Sequence, residues 1–184
     1  MLTSGFKVVI ALPLAMLLTS SIRLKGLLRG IIFFPTLVSV VAIGITFSTL
    51  MQPSAGVINT VLGFFGLPQP QWLGNPDLAL YSVVLVDVWR GIGIALVIFM
   101  AGILSIPQDY FDTARLEGGI WVKFRHVILP LARNATFTVI LLSFIGGLRT
   151  FDLIWTMTRG GPGFASDVLT SVIYKEYQAG FYGL

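Results

Sequence analysis

The 184-residue chain is 55% hydrophobic and 11% charged, with a mean hydropathy of +0.89 and no cysteine. Soluble domains carry roughly 25% charged residues, so this composition marks an integral membrane chain, and the lack of cysteine excludes a disulfide framework or a Cys-type zinc site. The net charge of +4 does not indicate nucleic acid, because the basic residues are dispersed between apolar runs and form no stripe. Residues 1–19 are apolar after Lys7, and 8–18 have the length of a signal-peptide hydrophobic region. Arg23, Lys25 and Arg29 follow directly, which suits the cytoplasmic end of a spanning helix better than a cleavage region. That span is short at its outer end, so truncation is expected.

Residues 30–52 read as an uncharged, full-length span, kinked near its inner end by Pro35 and able to pack closely at Gly44. The segment 53–78 breaks the pattern with Pro53, Pro68, Pro70 and Pro76. Its VINTVLGFF portion predicts a short surface helix, with Trp72 at headgroup level; the alternative is an ordinary loop. Residues 79–104 form the next span and carry Asp87 and Arg90.

The stretch 107–130, PQDYFDTARLEGGIWVKFRHVILP, concentrates charge between two apolar runs. Ser105 and Gln108 have capping-box spacing and Pro107 falls in a first turn, which predicts a helix start. The helix runs through Tyr110, Phe111, Ala114 and Arg115 to Gly118 and Gly119, residues suited to turning a chain at a helix C-terminus. About ten residues at 1.5 Å each cannot cross a bilayer. From Ile120, apolar positions 120, 121, 124, 127 and 128 form one stripe, with Lys123, Arg125 and His126 off it. This predicts a second short helix ended by Pro130, the two arms making a bent, exposed elbow. Residues 133–155 form a further span ending in Arg149 and Asp152, and the tail from 156 is turn-rich around Gly160, Gly161, Pro162 and Gly163.

Counting Lys and Arg sets the orientation. Arg23, Lys25 and Arg29 lie in one loop and Arg115, Lys123, Arg125 and Arg133 in another, whereas 53–78 has none and the tail has Arg159 and Lys175. The positive-inside rule therefore places the elbow in the cytoplasm and the Pro-rich loop and tail outside. The expected fold is all-α, a polytopic transmembrane helical bundle with four visible spans.

The elbow resembles the cytoplasmic EAA loop of permease subunits of bacterial ABC importers, whose pattern is Glu-Ala-Ala, three residues, Gly, nine residues, then Ile-x-Leu-Pro. Asp112, Thr113 and Ala114 stand in the Glu-Ala-Ala places, Gly118 in the Gly place, Glu117 in the acidic place before it, and Val127, Ile128, Leu129 and Pro130 close it. Asp112 is one methylene shorter than Glu, Thr113 replaces Ala, and eight residues separate Gly118 from Val127. Losing one residue rotates a continuous helix by about 100°, which the Gly118-Gly119 break is placed to absorb. SIPQDYFDTA before the elbow and FDLIWTMTRGGPG at 151–163 look like the carbohydrate-uptake branch, and the resemblance covers essentially the whole chain.

The resemblance implies one transmembrane domain over 1–184, truncated at both ends relative to a bundle of about six spans, in a bacterial plasma (inner) membrane. It implies as partners two cytoplasmic ATPase subunits, a second permease subunit and an extracytoplasmic solute-binding protein. By analogy, residues 109–118 sit in a cleft of the ATPase. Asp109, Asp112, Thr113, Ala114, Arg115, Glu117 and Gly118 are then the coupling positions, Gly118 setting the bend and Arg115 pairing across the contact. The chain itself is expected to hold no cofactor and no metal, ATP being bound by the partner.

Asp87 and Arg90 are three residues apart, as are Arg149 and Asp152, so each pair can meet on one helix face. Charges at membrane depth cost roughly 2.5 to 3.5 kcal/mol each and should face protein or water. They either border a solute path, with Trp89 and Trp155 stacking on a sugar ring, or form structural ion pairs. No Gly-Lys-Ser/Thr phosphate loop is present, His126 is the sole histidine, and Asp87 and Asp152 each have an Arg nearby that opposes proton sharing. An enzyme is therefore not expected. The expected function is the permease subunit of an ATP-driven sugar importer, against a permease for glycerol phosphate, amino acids or peptides, or a channel or assembly protein outside this class.

Overall fold

A computed structural model describes residues 2–20 and 24–180, the side chains of Leu2, Arg115 and Glu117 excepted. The described residues form α1 (Leu2–Thr19), α2 (Lys25–Leu37), α3 (Val40–Leu50), α4 (Val57–Phe64), α5 (Pro76–Leu104) and α6 (Gln108–Glu117). They continue through α7 (Ile120–Leu131), α8 (Arg133–Arg149), α9 (Asp152–Met157) and α10 (Leu169–Gln178). No strand occurs among them, in keeping with the all-α expectation. Among the described residues only α5 alone is long and apolar enough to cross a membrane; counting α2 with α3 and α7 with α8 as broken spans gives three. α1 is a shorter apolar helix.

Two of the expected spans are corrected. The run 30–52 is not one helix: it breaks at Val38 and Ser39, where Ser39 takes an extended conformation and its carbonyl starts α3 by accepting from Ile43 N–H at 3.0 Å. Hydropathy cannot register this break, since both sides of it are apolar. The run 133–155 ends early, at Arg149. The Thr150 carbonyl accepts from the Thr170 hydroxyl at 2.7 Å instead of continuing a helical ladder.

The chain divides into two units. The first, Met1–Leu37 with Arg90–Phe144, packs Ala11, Ala15 and Leu18 of α1 against Leu96, Phe99 and Ile103 of α5. The small residues let the backbones approach, the usual device where lipid supplies no hydrophobic drive between helices. Gly93 serves the same end: a Cβ there would lie 2.9 Å from Phe33 Cα and 3.0 Å from the Ile32 carbonyl, so α2 and α5 meet backbone to backbone. Beside it the Thr36 hydroxyl donates to the Arg90 carbonyl at 2.9 Å.

The second unit, Val38–Trp89 with Ile145–Leu184, packs Ile43 of α3 against Leu153, Ile154 and Met157 of α9, with Val83 and Val86 of α5. The Pro-rich segment holds the expected short helix, α4, and is knitted rather than loose. Buried Asn59 donates to the carbonyls of Pro53 (3.2 Å) and Pro70 (3.1 Å) and accepts from the Trp72 indole at 2.8 Å.

The tail is also ordered by side chains. Lys175 Nζ donates to both carboxylate oxygens of Asp167 at 2.9 and 2.8 Å, and Ser171 Oγ donates to Asp167 Oδ1 at 2.8 Å. Gly160, at φ +83°, passes where a Cβ would overlap Asp167 Oδ1, so a close approach and a left-handed backbone both require glycine there.

Candidate functional site

The elbow forms in the first unit, but its start differs from the capping-box expectation. Ser105 Oγ donates to the Gly102 carbonyl at 2.8 Å, and Pro107 occupies the N-cap with extended geometry and no side-chain cap. The backbone angles that a proline allows are enough to start the helix, so the hydroxyl is spent elsewhere. Within α6, the Thr113 hydroxyl donates to the Asp109 carbonyl at 2.9 Å and Gln108 Nε2 to Asp112 Oδ1 at 3.3 Å.

The two glycines do not turn in the left-handed region. Gly118 is fully extended (φ 170°), a backbone any residue adopts, and what demands glycine is space: a Cβ would press on Val122 Cγ2 and lie 3.2 Å from Val122 Cβ. Beyond Gly119 the second arm contains a π turn over Lys123–Ile128 and runs through Pro130 to Leu131, so Pro130 does not end it. The i→i+5 turn is wider than an α turn, and it frees the helix from placing an N–H where the proline has none.

The wider turn also splits the expected apolar stripe. Val127 and Ile128 are buried, while Ile120 and Trp121 stand 77% and 73% exposed. Leu116, at the end of α6, is 91% exposed. Helical periodicity put 120, 121, 124, 127 and 128 on one face; a π turn within the stretch rotates its first members off that face.

The elbow thus has an inner and an outer side. Phe111 and Ala114 are buried in the first unit's core with Val127 and Ile128, and Lys123 Nζ sits 4.6 Å above the Phe111 ring. Ala114, expected in a partner contact, is buried and packs in this core. Outside lie Asp109, Asp112, Thr113, Tyr110, Leu116, Ile120 and Trp121. The side chains of Arg115 and Glu117 lie outside the described residues. The apolar members of this outer face were missed in the sequence; the signal available for Leu116 was its place between two charged residues. Large apolar groups left exposed beside charged residues suit a protein contact.

The intramembrane charges behave differently from one another. Asp87 is buried at 6% exposure, and Trp89 packs on Phe47 with ring centroids 5.2 Å apart. The Nε of Arg90 is buried without an acceptor among the described residues. In the first unit Lys7 is also buried, its Nζ lying over Gly91 where a Cβ would be 2.7 Å away. Arg149 closes α8 and Asp152 opens α9, both exposed, so they do not share one helix face. Trp155 is stacked on Phe151 (5.4 Å, 19°) and meets Tyr174 edge-on at 4.9 Å, which occupies a ring expected to be free for a ligand.

Comparison with known proteins gives concordant results. A family model described as "Binding-protein-dependent transport system inner membrane component" matches residues 8–184. The chain is 30% identical over 181 residues to the trehalose/maltose transport system permease protein MalF of Thermococcus litoralis, covering 98% of this chain and 61% of that protein. It is 27% identical over 171 residues to the arabinooligosaccharides transport system permease protein AraP of Bacillus subtilis, covering 91% and 55%. The chain thus spans about three-fifths of the length of such relatives. Its fold matches a chain in the crystal structure of a bacterial alginate ABC transporter bound to an alginate pentasaccharide-bound periplasmic protein, with a TM-score of 0.82, 21% identity and coverage of 97% of this chain and 65% of that one.

Proposed function

This chain belongs to the family of binding-protein-dependent transport system inner membrane components, and from that premise we propose that it is the membrane-spanning subunit of an ATP-driven importer for a sugar or oligosaccharide. One observation carries the reading: a short charged helix, α6, seated on the core by Phe111 and Ala114 and presenting Asp112 and Leu116 outward, with Trp121 of α7 exposed after it. A channel has no use for such a handle, whereas an importer driven by a separate ATPase needs a rigid lever that carries partner motion into the bundle. The names of the relatives, for trehalose and maltose and for arabinooligosaccharides, support a carbohydrate cargo over glycerol phosphate, amino acids or peptides.

In this mechanism two cytoplasmic ATPase subunits grip the outer face of α6. Their closure on ATP pushes α6 against its seat, and because Phe111, Ala114, Val127 and Ile128 are packed with α1 and α5, the displacement moves those helices as bodies. The solute path opens alternately to a binding protein outside and to the cytoplasm, with a second permease subunit completing the path.

Arg90 is the side chain of this unit proposed to meet solute. A buried guanidinium nitrogen without an acceptor is costly, and a sugar hydroxyl supplies one. Arg149, Asp152 and Trp155 are less suited, being exposed or already stacked.

The test is uptake by vesicles reconstituted with the full-length chain, its partner permease, the ATPases and the binding protein, using labelled maltose, trehalose and an arabinooligosaccharide in turn. Accumulation that requires ATP and the binding protein is expected for one of them; ATP-independent leak would favour a channel. Arg90→Gln should lower uptake roughly tenfold, as for loss of a hydrogen bond to a charged group worth about 1.5 kcal/mol, with assembled protein unchanged. Loss of assembly would mark Arg90 as structural.

A further inference from the structure

A cavity of about 490 Å³ lies between α2 and α5 within the first unit. Gly30 and Phe33 of α2 and Val97, Met100, Ala101 and Leu104 of α5 line it, and the one polar side chain on it is Arg29. Arg29 is held there. Its Nη2 donates to the carbonyl of buried Leu18 at 2.7 Å, near the end of α1, where a helix favours positive charge. Its Nε is shielded from solvent and has no acceptor among the described residues. Lys25, one turn earlier on the same helix, is exposed.

The groove is therefore sharply divided. Arg29 is the lining residue nearest the N-terminus of α2, and on α5 the groove runs from Leu104, the end nearest the elbow, back to Leu96, about 12 Å at 1.5 Å per residue. Half a hydrocarbon core is about 15 Å deep. A sugar in this groove would leave its hydroxyls unpaired against apolar walls. A single held cation on an apolar trench nearly as long as one leaflet's acyl region fits a molecule with an anionic head and a hydrocarbon tail.

We propose that this groove is a binding site for an anionic phospholipid, its phosphate taken by Arg29 with Lys25 adjacent and one acyl chain lying between Phe33 and Val97. The positive-inside orientation puts the site in the cytoplasmic leaflet, where basic pockets between helices meet lipid head groups. A lipid there rests on α2 and α5 where they pack with α1, beside the residues that seat the elbow.

The proposal stands apart from the transport reading, because the assay needs neither ATPase nor solute. The full-length protein, purified in detergent, is titrated with palmitoyl-oleoyl phosphatidylglycerol or with the matching phosphatidylcholine, and bound lipid is counted by native mass spectrometry. Phosphatidylglycerol should saturate one site at about fivefold lower concentration, the contribution of one basic side chain near the surface. Arg29→Gln should abolish that difference. Ala101→Trp, which fills the trench at an exposed position and leaves Arg29 in place, should remove the site for both lipids. Equal retention of the two lipids by the unaltered protein would overturn the proposal, as would a preference that survives Arg29→Gln. Competition by glycerol 3-phosphate as effective as that of the whole lipid would reassign Arg29 to a soluble phosphate and also refute it.

Discussion

Gly118→Asp should cut solute uptake by at least about tenfold while the chain still reaches the membrane and the ATPases still hydrolyse ATP. The extended backbone at Gly118 accepts any residue, so the loss comes from crowding. The new Cβ presses on Val122 Cγ2, and Val122 is a stiff side chain with little rotamer freedom to withdraw. Relief requires the two arms of the elbow to swing apart, which re-aims α6 relative to its seat at Phe111 and Ala114. A coupling energy of about 1 to 3 kcal/mol corresponds to about 5- to 150-fold in the linked step, and a misdirected lever forfeits much of it. Gly118→Ala should show a milder defect, and Val122→Ala in that background should restore uptake by vacating the space. Wild-type uptake by Gly118→Asp, or failure of Val122→Ala to rescue, would remove the crowding from the mechanism.

Asp167→Ala should release the 158–167 loop from α10. The carboxylate receives three hydrogen bonds, two from Lys175 and one from Ser171, and its own side chain is 7% exposed. Removing one member of a fully buried pair costs about 3 to 5 kcal/mol. The Lys175 side chain is 31% exposed and regains water, so about 2 kcal/mol is the appropriate figure here. Hydrogen exchange over 158–167 should quicken by about 30-fold, and trypsin should cut at the exposed Arg159 sooner than in the unaltered protein. Asp167→Asn keeps an acceptor for Ser171 and should fall between the two. Unchanged exchange in Asp167→Ala would mean that the glycine-rich backbone alone holds the loop.

How much of this was legible in the sequence depends on what kind of force shapes each part. Membrane character, the α5 span and the helical start at Gln108 follow from hydropathy and from Pro107, which act locally, and the structure has them where expected. The break at Val38 and Ser39 left no trace, because a helix interruption inside an apolar run changes neither composition nor charge. The π turn in α7 was equally silent, although Pro130 hinted at a missing N–H, and it moved Ile120 and Trp121 from the inner face to the outer. Charge spacing misled in two ways. Arg149 and Asp152 are three apart in sequence but on different helices, and Arg90 keeps a buried Nε without an acceptor among the described residues although a carboxylate lies three positions before it in sequence. The Asp167–Lys175 tie depends on a loop folding back on a helix, and no local pattern announces that.

The central claim is that the outer face of α6 is gripped by a nucleotide-driven partner inside the cell. It is tested most directly by placing a photo-crosslinking residue at Leu116, 91% exposed on that face, and in a separate variant at Phe64, 87% exposed at the end of α4 on the Pro-rich loop expected outside. In the intact transporter, Leu116 should capture the ATPase subunit and Phe64 should not; capture at Phe64 with none at Leu116 would contradict the account.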